Sequence, residues 1–86
     1  MRADAAATRR LALTDHAVHV AQRSLAAQEE RLGLGSGLVV NVLTATQALG
    51  QAELDRARAE VDVQEARLRL LHVMGELLAR FDERAE

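Results

Sequence analysis

His16 and His19 are the residues in this sequence whose type and spacing come closest to a metal site. They lie three residues apart with Asp15 beside them, a spacing that places both imidazoles on one face of a helix. Zinc sites use three or four protein ligands, so two histidines give only weak support for one. The sequence therefore favours solvent-facing or interhelical polar residues here and at the isolated His72, with a small metal-binding helical protein as a distant alternative.

Catalytic chemistry has little support in the sequence. Ser24 and Ser36 have no convincing base or orienting partner, and there is no cysteine to act as a nucleophile or thiolate ligand. The glycines at 33, 35 and 37 differ from a phosphate-binding loop, because they follow a predicted helix and lack the lysine of that motif. We therefore predict that the protein is not an enzyme and has no catalytic residues, no resident metal and no cofactor.

The composition favours helices packed on helices. The 86 residues are 49% hydrophobic, yet they include one aromatic residue, Phe81, and no proline, so the apolar material is chiefly alanine, leucine and valine. Eleven arginines are interspersed with 13 acidic residues, with no basic block of the kind that binds nucleic acid. No apolar run reaches the ~18 residues of a membrane-spanning helix, and the first ten residues lack the apolar core of ~7–15 residues typical of a signal peptide.

Apolar residues at seven-residue spacing predict a first helix over about 5–32. One row contains Leu11, Val18, Leu25 and Leu32, with Ala21 between two of them. A second row on the other flank contains Leu13, Ala17, Val20, Ser24, Ala27 and Leu34. A helix with two apolar flanks is expected to have a neighbour on each side.

The cluster of three glycines predicts a turn at 33–37 and an antiparallel hairpin. Glycine adopts the left-handed conformation that closes a helix at little steric cost. Ser36 is predicted to cap the second helix by accepting a backbone N–H bond.

The second helix is predicted over about 38–83, longer than the first and again with two working flanks. Its seam, the row that faces the first helix, reads Leu38, Val42, Ala45, Leu49, Ala52, Arg56, Ala59, Val63, Ala66, Leu70, Val73 and Leu77. Only Arg56 interrupts it, and a long arginine lays its stem along an apolar seam with its head in water. A second stripe reads Leu43, Gly50, Leu54, Ala57, Val61, Leu68, Leu71, Gly75 and Leu78.

The unequal lengths predict an unpaired segment. A turn centred on Gly35 places residue 5 opposite residue 65, so the apolar residues beyond Ala66 have no partner within the hairpin. Such a surface is unusual on a soluble monomer. Either copies of the chain pack together, or further sequence precedes Met1.

Residues 11–78 resemble part of the TolC-like outer-membrane efflux protein family, and most strongly so from Arg31 to Leu77. The resemblance is carried by an ordered set of motifs: Ala17-Val18, Ala21-Gln22 and Ser24-Leu25, the turn Leu34-Gly35-Ser36, the run Val40-Asn41-Val42-Leu43-Thr44-Ala45, then Leu49, Ala52, Glu53, Ala57, Ala66, Leu68 and Leu70, and finally Gly75-Glu76-Leu77. The combination of glycine turn, Val-Leu-x-Ala and Gly-x-Leu is fairly specific.

The resemblance implies a periplasmic hairpin of a channel subunit at the cell outer membrane, present here as a fragment. Three such subunits form a channel with a β-barrel and a long α-barrel, and their hairpin turns meet a periplasmic adaptor that couples the channel to an inner-membrane pump. The partner-binding tip would then be Gly33, Leu34, Gly35, Ser36, Gly37 and Leu38. No nucleic-acid partner is implied.

Asn41 and Thr44 match positions where some family members carry acidic residues that narrow the channel entrance. Both are neutral here, and the family's aromatic before the turn is replaced by Leu32. Two readings of this pair stay open, a polar patch at a helix end and a lining of the channel entrance. The leading hypothesis for the chain is the efflux-channel hairpin, and the rival is a free-standing coiled-coil oligomerisation module.

Overall fold

A computed structural model of the chain, which describes residues 2–85, shows two antiparallel helices. Helix α1 spans Arg2–Gly33 with 32 residues, and helix α2 spans Val39–Ala85 with 47 residues. The hairpin is a rod with principal extents of 78 × 14 × 14 Å. The predicted all-α hairpin with a longer second helix is confirmed. The predicted turn at 33–37 was one residue early, because Gly33 is the last residue of α1 and Leu38 precedes α2.

The seam between the helices is narrow and made of small side chains. Its buried residues are Val18 from α1 and Ala45, Ala59 and Val63 from α2. Ala59 is only 1% exposed, because a side chain this small lets the backbone of α1 approach closely. Half-buried residues extend the same row along both helices: Ala7, Leu11, Thr14, Ala21, Leu25 and Gln28 on α1, and Val42, Leu49, Ala52, Ala66 and Leu70 on α2. Leu38, predicted to begin the seam, is instead exposed, so the seam starts at Val42.

Two ion pairs cross the seam and report its register. A guanidinium nitrogen of Arg10 lies 3.0 Å from Asp62 Oδ2, and Arg56 Nε lies 3.2 Å from Asp15 Oδ1. Arg56 also lies 3.7 Å from Glu60 on its own helix. The head of Arg56 therefore sits beside the seam among carboxylates. Each of these pairs is about half exposed, so it contributes little energy and mainly disfavours a shifted register.

This register leaves the end of α2 without a partner. Because residue 10 lies beside residue 62 and residue 15 beside residue 56, the start of α1 reaches only to about residue 70. Residues 71–85, which we name the overhang, extend past it by roughly 20 Å at a rise of ~1.5 Å per residue. Every side chain described there is exposed, including Leu71, Val73, Met74, Leu77, Leu78 and Phe81. The predicted unpaired segment is present and starts about one turn later than Ala66. Neither helix within residues 2–85 has the combined length and apolarity required to cross a membrane.

Candidate partner-binding tip

The turn at the end of the hairpin closes α1 with a Schellman motif. Gly35 has a φ of +80°, which is the left-handed conformation that this motif requires. Its N–H donates to the carbonyl of Leu32 at 3.1 Å, and the N–H of Ser36 donates to the carbonyl of Arg31 at 3.0 Å. These two bonds satisfy carbonyls that the end of a helix would otherwise leave free. The turn therefore has a defined backbone conformation.

The three glycines of the turn differ in what they do. A Cβ on Gly37 would lie 2.8 Å from the backbone nitrogen of Leu32 and 3.0 Å from the carbonyl carbon of Arg31. Gly37 is therefore required by space, as Gly35 is required by its φ. A Cβ on Gly33 would meet no atom within 4 Å. Two of the three glycines thus fix the turn, and Gly33 is free of both constraints.

Ser36 does not cap α2, so that prediction was wrong. Its hydroxyl donates to the carbonyl of Arg31 at 3.3 Å, which the N–H of Gly37 also reaches at 3.0 Å. The residue that begins α2 is Leu38, whose carbonyl accepts from Asn41 at 3.0 Å and from Val42 at 3.4 Å. A leucine side chain has no oxygen to satisfy the first N–H groups of the helix. The start of α2 thus presents backbone donors among apolar side chains.

The surface around the turn is apolar and uncharged. Leu34 is 76% exposed, and four further aliphatic side chains at the start of α2 are more than half exposed: Leu38, Val39, Val40 and Leu43. No residue between Arg31 and Glu53 carries a charge. The sequence analysis treated the charges as interspersed throughout and missed this segment, although the signal is plain in the sequence. Aliphatic groups exposed on a rigid, neutral turn form a surface suited to docking another protein.

Asn41 and Thr44 lie one helical turn apart on the exposed surface beside the tip. The Thr44 hydroxyl donates to the carbonyl of Val40 at 2.9 Å, so it retains only acceptor capacity for a partner or for solvent. The pair therefore contributes neutral polarity next to the apolar tip. It remains a candidate lining for a channel entrance.

The second apolar stripe of each helix faces away from the seam and is exposed. On α1 it includes Leu13 and Val20, and on α2 it runs through Leu43, Leu54, Val61, Leu68, Leu71 and Leu78. The hairpin therefore buries one flank of each helix and leaves the other flank available. The prediction that each helix has two apolar flanks is confirmed, and the outer flank has no partner within residues 2–85.

The histidine pair is not assembled into a metal site. His16 and His19 are exposed, and the carboxylate of Asp15 is engaged with Arg56 across the seam. Within residues 2–85, no group of three histidine, aspartate or glutamate side chains is placed to hold a metal ion. His72 lies on the helix surface, with its Nε2 3.1 Å from a carboxylate oxygen of Glu76.

Comparisons of this chain with protein-family models, with curated proteins and with solved structures gave no significant match.

Proposed function

We propose that this chain is a non-enzymatic structural element of an outer-membrane export channel, a periplasmic hairpin that contributes to an α-barrel wall. The observation that carries the proposal is the exposed second stripe on both helices. A hairpin in a closed barrel must contact its own partner helix on one flank and a neighbouring hairpin on the other. The resemblance of residues 11–78 to TolC-like efflux proteins supports the same role and implies a trimeric parent channel.

The tip supports a second part of the proposal, the docking of a periplasmic adaptor that links the channel to an inner-membrane pump. A turn held by Gly35 and Gly37 presents Leu34 to the outside in a fixed geometry. Preformed backbone reduces the entropy lost on binding, so a small apolar tip binds more tightly than a flexible one of the same area. The neutral pair Asn41 and Thr44 would lie at the channel entrance beside this contact.

The proposal is tested in cells that carry the gene encoding this sequence. Deleting the reading frame is expected to raise accumulation of a fluorescent export substrate, and the wild-type gene restores export. We expect Leu34→Asp to fail to restore export at normal protein abundance, because it places a charge on the apolar tip without disturbing the turn. Gln22→Asp, which adds the same charge at the heptad position of Asp15 and Glu29, serves as the matched control.

Unchanged accumulation after deletion contradicts the channel role. Full export with Leu34→Asp contradicts the docking role of the tip and leaves the wall role standing. A photo-cross-linking residue at position 36 gives a direct readout, because the proposal requires a covalent adduct with a periplasmic adaptor that disappears in the Leu34→Asp background.

A free-standing coiled-coil oligomerisation module is the second candidate. It is favoured by the overhang, whose apolar side chains are exposed in the hairpin itself. Normal export after deletion, combined with self-association of the chain in solution, supports this candidate over the channel hairpin.

A further inference from the structure

One heptad position of α2 changes character where α1 stops. In the paired part of the helix, the position that flanks the seam carries Thr46, Glu53, Glu60 and Arg67. In the overhang the same position carries Met74 and Phe81, which are 50% and 74% exposed. The flank on the other side of the seam stays polar, with Asp55, Asp62, Arg69, Glu76 and Glu83. The overhang therefore gains a wide apolar face toward one side.

This face is continuous with the established helix–helix contact. Val73 and Leu77 extend the seam in unbroken heptad register past the start of α1, and Leu70 at its inner edge is half-buried. Leu71 and Leu78 extend the second stripe on the far side of Met74 and Phe81. A helix laid on this face would therefore contact six apolar side chains of the overhang: Leu71, Val73, Met74, Leu77, Leu78 and Phe81.

We infer that the occupant of this face is the overhang of a second copy of the chain, packed antiparallel so that the two hairpin tips point in opposite directions. A symmetric pair uses the same patch twice, and an apolar patch meets its own copy without burying a charge. The inference concerns the end of the molecule opposite the tip, and it does not depend on the proposed export function.

The charge pattern distinguishes antiparallel from parallel pairing. In a parallel pair, the contact through Met74 and Phe81 would continue along α2 and bring each Arg67, Glu60 and Glu53 against its own copy. Like charges directly opposed in this way are destabilising. In an antiparallel pair the two hairpins extend away from the shared overhangs, so these like-charge contacts do not form.

The size of the face sets the expected affinity. Six side chains from each copy form a contact smaller than the ~800 Å² per partner of a standard interface. Because ordering costs take up much of the gain from so small a contact, we expect a dissociation constant on the order of micromolar.

Sedimentation equilibrium of the 86-residue chain over a wide concentration range tests the inference. We expect reversible formation of a dimer, and we expect Met74→Glu to weaken it at least tenfold with the helix content unchanged. Thr46→Glu is the matched control, because it introduces the same side chain at the same heptad position within the paired part, and it is expected to leave the dissociation constant unchanged.

The orientation is tested with single cysteines, since the chain has none of its own. On oxidation of the dimer, Gly75→Cys, in the overhang, is expected to form a disulfide-linked dimer, and Ser36→Cys, at the tip, is expected to remain unlinked. A chain that stays monomeric at all concentrations overturns the inference, as does dimerisation that Met74→Glu leaves intact. Efficient linkage of Ser36→Cys overturns the antiparallel arrangement. A monomeric chain would leave the export proposal standing, because that proposal is tested at the tip and in cells.

Discussion

Val63 and Val73 both occupy seam positions of α2, yet Val63 is 5% exposed and Val73 is 44% exposed. The two valines belong to one continuous helix and to one heptad pattern. They differ only in whether α1 lies beside them. The comparison shows that the amphipathic pattern determines which flank of a helix is apolar, whereas the extent of the partner determines how much of that flank is buried.

The paired part and the overhang must therefore be stabilised differently. Within the paired part, α2 gains burial of Ala45, Ala59 and Val63 against α1, together with ion pairs beside the seam. The overhang of an isolated chain has only the helix propensity of its residues and the helix already formed before it. The overhang is consequently expected to fray before the paired part unfolds, and a partner on its apolar face would remove that difference.

The largest expected effect comes from placing a charge at the two valines. Val63→Asp introduces an unpaired carboxylate into the seam and is expected to lower the free energy of unfolding by at least ~2 kcal/mol. Val73→Asp makes the same change on an exposed surface and is expected to cost less than about 0.5 kcal/mol. Thermal and urea unfolding followed by circular dichroism measure both, at a protein concentration below any self-association.

Equal costs for the two substitutions would contradict the comparison. A large cost at Val73 in the dilute monomer would mean that the overhang is buried against the chain itself, and therefore that the register given by Arg10 and Asp62 is wrong.

Much of the fold could be predicted from the sequence because it depends on local spacing. The heptads fixed which residues of α1 and α2 face each other, and the glycine cluster located the reversal. The role of Ser36 was mispredicted because residue type alone made it a good cap for the next helix. In the turn, the free carbonyl of Arg31 lies close to its hydroxyl and accepts from it instead.

The candidate site was only partly predictable. The turn residues were identified from the glycines, but the distinction between Gly33 and Gly37 depends on how close the chain passes to the last turn of α1, which no local pattern reports. The uncharged run from residue 32 to residue 52 was readable in the sequence and was missed. The partner of the tip lies on another molecule, and so its identity is a proposal.

A smaller effect separates the two glycines of the turn. Gly35→Ala forces an L-residue into the left-handed region and is expected to cost about 1–2 kcal/mol of the hairpin's stability. Gly33→Ala adds a methyl group to open space at the end of α1 and is expected to be neutral or to stabilise by up to ~1 kcal/mol. Urea unfolding of both variants checks the sign. Destabilisation by Gly33→Ala equal to that by Gly35→Ala would contradict the assigned turn geometry.

The smallest expected effect tests how the overhang is held in a helix. Gly50 lies in the paired part of α2 and Gly75 in the overhang, and a Cβ at either position would meet no atom within 4 Å. Alanine at an exposed helix interior is favoured over glycine by about 0.5–1 kcal/mol, partly because glycine has more conformational freedom in the unfolded chain. Gly50→Ala is therefore expected to raise the midpoint of the cooperative unfolding transition.

Gly75→Ala is expected to act differently, because the overhang of the dilute monomer frays separately from the paired part. It should increase the helix content measured by circular dichroism below the transition and slow amide hydrogen exchange in residues 71–85, with little change in the midpoint. If both substitutions raise the midpoint equally, the overhang unfolds together with the paired part, and the separation of the two regions fails. If the difference between them disappears only as the protein concentration rises, the overhang has acquired a partner, and its stability then comes from packing as it does in the paired part.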